Sequence, residues 1–167
     1  MIAGATSSGK TTLLGALIAE LEERTICIEQ IPELVIREPA ISLQERPVNQ
    51  EGMGAISLQQ LVIEALRMRP DRIVVGEVRG SEFGVLLQAM NNGHRGTMAT
   101  LHCKSMADLA NRLTLLGLLS GFDKDLTKQM VSQSFDLVLQ LERVAGIRKL
   151  TQLGRIGREL EVTEVAA

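Results

Sequence analysis

The first residues of the chain contain a motif with phosphate-binding chemistry. Gly4 to Thr11 read G-x-x-x-x-G-K-T. Glycines permit a tight turn whose backbone N–H groups converge on phosphate oxygens, and the helix that follows adds its positive end. Lys10 is placed to reach the β- and γ-phosphates of a nucleotide, and Thr11 to offer a hydroxyl to Mg²⁺. A chance match in a structural turn is the weaker reading, because the motif follows apolar residues and opens an amphipathic helix.

The predicted nucleotide site includes the whole loop and the residue after it. Backbone N–H groups bind phosphate whatever side chain they carry, so the residues between the two glycines belong to the site as well. The predicted binding residues are Gly4, Ala5, Thr6, Ser7, Ser8, Gly9, Lys10, Thr11 and Thr12.

An enzyme that cleaves a phosphate bond also needs a carboxylate near the metal or the attacking water. "RIVVGEV" is apolar and strand-like, and it places Glu77 where this buried strand ends. A carboxylate is costly to bury there unless it meets a cation or a hydrogen-bond network. We favour Glu77 as a catalytic and Mg²⁺-binding acid. The alternatives are an acid that caps a helix or one that only pairs with Arg79.

A second acidic cluster, "IEQIPE", follows another predicted strand. Glu29 and Glu33 are four residues apart, with Pro32 in the turn between them. Spacing alone leaves a solvated turn and a catalytic role equally open. The two histidines, His94 and His102, flank one predicted strand, where they could sense the γ-phosphate, bridge subunits or simply cap strand ends. No cysteine or acidic pattern at ligand spacing accompanies them, so the sequence does not predict a zinc site.

Alternating strand and helix patterns predict an α/β fold with a mainly parallel sheet. The apolar, β-branched runs are predicted strands and the runs with apolar residues at helical spacing are predicted helices. A short strand followed by a long exposed loop is predicted over 33–54, which holds two of the four prolines and two glycines. Strands are predicted at 24–29, 72–78, 96–102, 136–144, 147–156 and 158–165, the last ones antiparallel, and helices at 10–23, 57–70, 81–93, 105–119 and 123–135.

Length and composition narrow the class of protein. The 167 residues suit one domain, and 45% hydrophobic residues are enough to fill its core. A net charge of −2 and the absence of Trp and Tyr argue against nucleic acid as a partner. Cys27 and Cys103 have no metal-site or redox spacing and are interpreted as reduced thiols of a cytosolic protein. No apolar stretch is long enough to predict a membrane span.

Taken together, four segments resemble the secretion ATPase superfamily, the motors of type II and type IV secretion and of type IV pili. They are "GATSSGKTT", "IEQIPEL", "LRMRPDRIVVGEVRG" and "GHRGTMATLH", in that order, and the resemblance covers nearly the whole chain. The chain is most similar to the tight-adherence (CpaF-like) pilus assembly branch. "MRPDRIVVGEVRG" is especially typical of that family.

The resemblance implies a role for each box. Glu77 matches the acid of the Walker B box and Arg79 the arginine that follows it, while His94 and His102 match the two histidines of the His box. It also implies that "IEQIPE" is the Asp box and that its last acid, Glu33, is the general base that orients water. The chain departs from the pattern at Gln30, where the family usually has Asp.

For the domain as a whole, the resemblance implies a RecA-like ATP- and Mg²⁺-dependent motor domain over residues 1–167. It implies a hexameric ring that is cytoplasmic, peripheral to the inner membrane and bound to the platform proteins of a secretion or pilus machine. Arginines of a neighbouring subunit would help to neutralise the transferring phosphoryl group; the candidates are Arg46, Arg67, Arg69 and Arg79.

Only three residues precede Gly4, whereas a mean strand has about five or six. The sequence therefore predicts a sheet truncated at its N-terminal edge, without the N-terminal domain and linker of the family. Two other functions stay open: a nucleotide-binding or structural assembly module with little turnover, and a small-molecule kinase. The kinase reading lacks an arginine-rich lid segment and gives the histidines no role.

Overall fold

The computed structural model describes residues 1–94 and 96–165. They form one eight-stranded sheet in the order β3-β2-β4-β5-β1-β6-β7-β8. The strands are β1 (Ile2–Gly4), β2 (Thr25–Glu29), β3 (Ile41–Gln44), β4 (Arg72–Val78), β5 (Met98–His102), β6 (Val138–Val144), β7 (Ile147–Ile156) and β8 (Val162–Glu164). The helices are α1 (Lys10–Ala19), α2 (Leu58–Arg67), α3 (Glu82–Asn91), α4 (Leu109–Leu119) and α5 (Lys124–Ser134).

The sheet confirms the predicted α/β class with a mainly parallel sheet. The pairs from β3 through β6 are parallel, and β6–β7 and β7–β8 are antiparallel, as predicted for the last strands. The three-residue β1 lies inside the sheet, between β5 and β6, where all three of its residues are buried.

The segment 33–54 differs from its prediction of a strand followed by a loop. The strand comes in the middle, because "ISLQ" pairs in parallel with β2, and loops lie on both sides of it. The alternation of half-buried and exposed residues along β3 is that of an edge strand.

Helices cover both faces of the sheet. On one face α1 places Leu14 and Ile18 on apolar residues of β1, β2, β4 and β6. The other four helices supply the larger core on the opposite face, with Phe83 of α3 fully buried in it. In this three-layer arrangement, the loops that follow the parallel strands meet at the carboxyl edge of the sheet.

Local sequence explains the helix starts. Ser57 forms a capping box with Gln60 at the start of α2, and the Asp123 side chain caps α5. By contrast, the Ser105 hydroxyl donates to the Asp108 carboxylate, and a short 3₁₀ turn (Met106–Asp108) precedes α4. No helix within residues 1–94 and 96–165 is both long and apolar enough to cross a bilayer.

Candidate functional site

The glycine-rich loop joins the end of β1 to α1, at the carboxyl edge of the sheet. Lys10 begins the helix, and its ammonium group donates to the Gly4 and Ala5 carbonyl oxygens over 3.0 and 2.9 Å. Lysine has three donors, so one N–H remains for a ligand oxygen. Gly9 precedes the helix with φ of 99°, a left-handed conformation that favours glycine.

The loop is a cradle that fits a phosphate group. A Cβ added at Gly4 would lie 2.5 Å from both the Leu141 carbonyl oxygen and the Ser8 hydroxyl, so only glycine leaves the backbone room. The Ser8 side chain is buried, and its hydroxyl has no hydrogen-bond partner among the described residues. A buried hydroxyl without a partner costs free energy, and a phosphate oxygen in the loop is a suitable acceptor for it.

The cradle opens into a cavity of ≈ 310 Å³. Most of its lining is polar and comes from the ends of β1, β4 and β5, from the loop after β2, and from β7. The lining residues are Thr6, Ser7, Gly9, Lys10, Thr11, Thr12, Glu33, Glu77, Arg79, Thr100, His102 and Arg148. The structure thus brings the predicted loop, both predicted catalytic acids and one histidine to a single site.

The Asp-box turn after β2 places Glu33 beside the loop. The Thr11 hydroxyl donates to the Glu33 carboxylate over 3.0 Å. Glu29, buried at the end of β2, accepts hydrogen bonds from the backbone N–H groups of Glu33 and Leu34 over 3.0 and 3.1 Å. Glu29 therefore orders the turn that presents Glu33, a role that its spacing alone did not indicate.

Glu77 lies at a bulge near the end of β4. Val75 pairs with Ala99 and Val78 with Leu101, so β4 has one extra residue at this point, and Thr100 donates to the Gly76 carbonyl over 2.5 Å. A bulge of this kind redirects side chains near active sites. Here it accompanies a half-buried Glu77 carboxylate that lines the cavity.

Arg79 ties Glu77 to the Asp-box turn. Its guanidinium donates to Glu77 over 2.6 Å and to the Gln30 side-chain oxygen over 3.1 Å. Glu77 is thus an Arg79 partner, one of the alternatives considered for it, and at the same time a cavity residue. Gln30, which departs from the family pattern, retains an acceptor for Arg79 but not a negative charge.

The charges around Lys10 are balanced by these acids. Burial lowers the pKa of the Lys10 ammonium, and the negative charges of Glu77 and Glu33 oppose that shift. Two carboxylates near one buried ammonium form a set suited to a phosphate–metal pair, in which Mg²⁺ takes oxygen ligands from a few side chains and from phosphate. The Thr11 hydroxyl and the Glu33 and Glu77 carboxylates are such oxygens. Within the described part of the chain, no group of three or more His, Cys, Asp or Glu side chains could hold a metal alone.

The two histidines are not brought together. His102 ends β5 at the carboxyl edge and lines the cavity. His94 precedes the start of β5 at the other end of the strand; it is absent from the cavity lining, and its carbonyl accepts from the Thr97 hydroxyl. The prediction of nucleotide contact therefore fits the geometry of His102 and not that of His94 within one chain.

Three of the four candidate trans arginines also lie outside the cavity. Arg46 donates to the Gly54 carbonyl over 2.6 Å, and Arg67 pairs with Glu64 on the exposed side of α2. Arg69 follows α2 with φ of 54°. Of the four, only Arg79 is a cavity residue in its own chain.

Sequence reasoning missed two lining residues, Thr100 and Arg148. Thr100 belonged to a predicted strand, and only its contact with the bulge at Gly76 distinguishes it. Arg148 lies in β7, far along the chain from the loop, so no local motif could have indicated it. The register of β7 is what brings it to the site.

Two known proteins with similar sequences match most of this chain. The Mycobacterium tuberculosis (strain ATCC 25618 / H37Rv) protein Rv3659c, provisionally named a conjugal transfer protein, is 41% identical over 157 residues, 92% of this chain and 45% of that protein. The type IV secretion system protein VirB11 of Bartonella henselae is 34% identical over 159 residues, again 92% of this chain and 45% of that protein. The chain thus spans less than half the length of these relatives.

A solved structure also matches most of this chain. The VirB11 ATPase of the Brucella suis type IV secretion system, determined in complex with sulphate, superposes with a TM-score of 0.81 at 26% identity, covering 92% of this chain and 47% of that one. Residues 1–155 match the family described as "Type II/IV secretion system protein". The chain therefore belongs to the Type II/IV secretion system protein family.

Proposed function

We propose that this chain is the ATP-binding and ATP-hydrolysing part of a motor that drives secretion or pilus assembly. The single observation that carries the proposal is that Lys10, Thr11, Glu33 and Glu77 line one cavity beside a buried phosphate cradle. Membership of the secretion family and the likeness to VirB11 proteins support the same function.

In this mechanism the chain's own residues bind and orient the reactants. The loop N–H groups, the Ser8 hydroxyl and the free N–H of Lys10 hold the phosphates of ATP. Thr11 and Glu77 would hold Mg²⁺, which would supply positive charge to the phosphate oxygens. Glu33 orients the attacking water in line with the γ-phosphate, and Glu29 keeps that carboxylate in place through the two backbone hydrogen bonds.

The arrangement also supports a switch of hydrogen-bond partners during binding. Thr11 donates to Glu33 here, and Arg79 holds Glu77. A Thr11 hydroxyl that served as a ligand of Mg²⁺ would leave the Glu33 carboxylate free to accept from water. When Arg79 leaves Glu77, its guanidinium becomes available to phosphate. His102 lies at the same edge and lines the same cavity as Thr100.

The proposal also includes the assembly of several copies of the protein into a ring. We infer that copies of the full protein form a hexameric ring at the cytoplasmic side of the inner membrane, on the platform proteins of the machine, and that the chain belongs to the tight-adherence branch. A neighbour's arginine would supply charge at the γ-phosphate. Arg67 on the exposed side of α2 is open to such a contact, because its only charged partner in the described chain is Glu64, over 2.7 Å.

A second function is a nucleotide-binding assembly module with little turnover. The Glu77–Arg79 ion pair favours it, because a carboxylate held at 2.6 Å by arginine is less available to metal. One experiment separates the functions: phosphate release from Mg·ATP, with and without small-molecule acceptors, alongside Mg·ADP affinity by calorimetry. Phosphate release without acceptor supports the motor ATPase. Tight binding without release supports the module, and ADP formation that requires an acceptor and releases no phosphate would indicate a kinase.

A further inference from the structure

The β6–β7 hairpin overhangs the phosphate loop on the α1 face of the sheet. Leu141 of β6 belongs to the core beneath α1, and its carbonyl oxygen lies against Gly4. Residues of the two strands that face each other across the hairpin share one face of the sheet. The partners of Leu141 and Arg143 are Leu150 and Arg148, so these four side chains are on the α1 face.

A bulge in β7 determines which residue of this strand faces the loop. Gln140 pairs with Gln152 but Leu141 pairs with Leu150, so Thr151 is the extra residue, and its hydroxyl donates to the Gln140 carbonyl over 3.3 Å. Because side chains alternate along a strand, one extra residue reverses every position beyond it. Without the bulge, the neighbours of Arg148 would face the phosphate loop in its place.

Arg148 reaches the loop with its side chain. A Cβ added at Gly9 would lie 3.0 Å from the Arg148 Cδ and 3.7 Å from its Nε, so the side chain passes directly over Gly9. The Arg148 side chain makes no hydrogen bond or ion pair with any residue in the described ranges, yet it lines the nucleotide cavity. A free guanidinium beside a phosphate cradle has five donors suited to paired oxygens.

The two facing arginines of the hairpin also favour an anionic ligand. Arg143 and Arg148 are directly opposite across the strands, and like charges in this position are destabilising. Arg143 turns away, since its Nε donates to the Gly146 carbonyl in the hairpin turn over 3.0 Å. Arg148 is therefore the member of the pair that is left to neutralise a ligand.

The position of Arg148 also indicates which phosphates it contacts. Glu33 and Glu77 come from β2 and β4, on one side of β1, and Arg148 comes from β7, on the other side. The γ-phosphate and Mg²⁺ belong beside Thr11 and the acids. We propose that Arg148 binds the phosphate oxygens at the opposite end of the chain of phosphates, those shared by ADP and ATP. The proposal rests on nucleotide binding at the loop, as put forward above.

The test is Mg·ADP and Mg·ATP affinity of the 167-residue chain by calorimetry. Arg148→Ala should weaken both nucleotides by a similar factor, about tenfold to a hundredfold, because it removes charge-assisted hydrogen bonds. Arg148→Lys should recover part of the loss, since lysine keeps the charge but not the planar fork. Arg143→Ala is the matched control: it removes the same charge from the same hairpin and should leave both affinities unchanged.

Unchanged ADP and ATP affinity in Arg148→Ala would overturn the proposal, and so would a loss confined to ATP, which would move the contact to the γ-phosphate. An equal loss in Arg143→Ala would reduce the effect to net charge and overturn it too. The variant Lys10→Ala distinguishes a failure of the Arg148 proposal from a failure of the proposed function. If the wild-type chain binds no nucleotide, the function fails; if it binds and only Lys10→Ala loses affinity, Arg148 alone was misassigned.

Discussion

The Thr11 hydroxyl donates a hydrogen bond to the Glu33 carboxylate over 3.0 Å, joining the phosphate loop to the turn after β2. The two residues are 22 positions apart in the chain and meet because β1 and β2 end at the same edge of a parallel sheet. The contact puts the predicted metal ligand next to the predicted base. We therefore expect metal binding and water positioning to be coupled. The substitutions below test each of them in turn.

Substitution of Lys10 tests binding. Lys10→Ala should abolish measurable Mg·ATP binding, because it removes the buried ammonium that offsets phosphate charge and spans the loop carbonyls. Calorimetry measures the affinity. Lys124→Ala, an exposed lysine at the start of α5, is the control of equal charge. Wild-type affinity in Lys10→Ala would refute the phosphate-loop assignment.

The two acids should affect rate more than affinity. Glu33→Gln and Glu77→Gln each remove a charge at the reacting end of the cavity, and each should slow hydrolysis by about a hundredfold or more. Affinity for Mg·ATP should change far less. The measurement is phosphate release in whichever assembly state of the protein turns over, with Glu22→Gln, an exposed acid before β2, as control. Normal hydrolysis in Glu33→Gln would transfer the role of base to Glu77.

Glu29 should act by holding the turn. Glu29→Ala leaves two backbone N–H groups without their carboxylate acceptor and should lower the free energy of unfolding by about 1–3 kcal/mol. Glu29→Gln retains an oxygen acceptor and should lose less. Chemical denaturation measures both. If Glu29→Ala is as stable as wild type, the turn does not depend on this residue.

Gly76 should not tolerate a side chain, because it packs against the Glu29 side chain that holds this turn. A Cβ there would lie 2.8 Å from the Glu29 Cγ, so Gly76→Ala must displace the buried acid. We expect hydrolysis to fall, because a displaced Glu29 no longer holds the turn that presents Glu33. Gly15→Ala is the matched control, because its nearest neighbour would be the Leu34 Cδ2 at 3.7 Å and alanine favours helix α1. Equal activity of the two variants would contradict the contact.

Cys27 should be inert in the folded protein. Burial raises the pKa of its thiol to about 12, and the negative charge of Glu29 adds to the shift. Since the thiolate is the reactive form, about one molecule in ten thousand is reactive at pH 8. Alkylation followed by mass spectrometry should label Cys27 only after denaturation. Rapid labelling of the native chain would show that β2 opens.

The raised Cys27 pKa also has a consequence for stability. Above pH 9 the unfolded chain loses the thiol proton while the folded chain keeps it until about pH 12. The unfolded state then binds fewer protons, so this residue's contribution to stability falls as pH rises through that window. Comparison of denaturation at pH 8 and pH 10 in wild type and Cys27→Ala should show a smaller loss between the two pH values in the variant.

By itself, the sequence determined the parts of the protein whose signals are local. The G-x-x-x-x-G-K-T loop, the capping box at Ser57 and the hairpin at Ala145-Gly146 were all predictable, because each depends on residues a few positions apart. Strands β2, β4, β6 and β7 and the α/β class followed from short-range patterns of apolar residues. Glu77 was predictable as well, since it ends an unusually apolar strand.

Only the tertiary structure decided what depends on strand order and register. It placed β1 between β5 and β6, separated His102 from His94 by the length of a strand, and gave Glu29 its role through the fold of the following turn. The bulges at Gly76 and Thr151 then selected the side chains that face the cavity. The physical reason is that one extra residue in a strand reverses which side chains face a site, and no local pattern in the sequence specifies where a partner strand will require it.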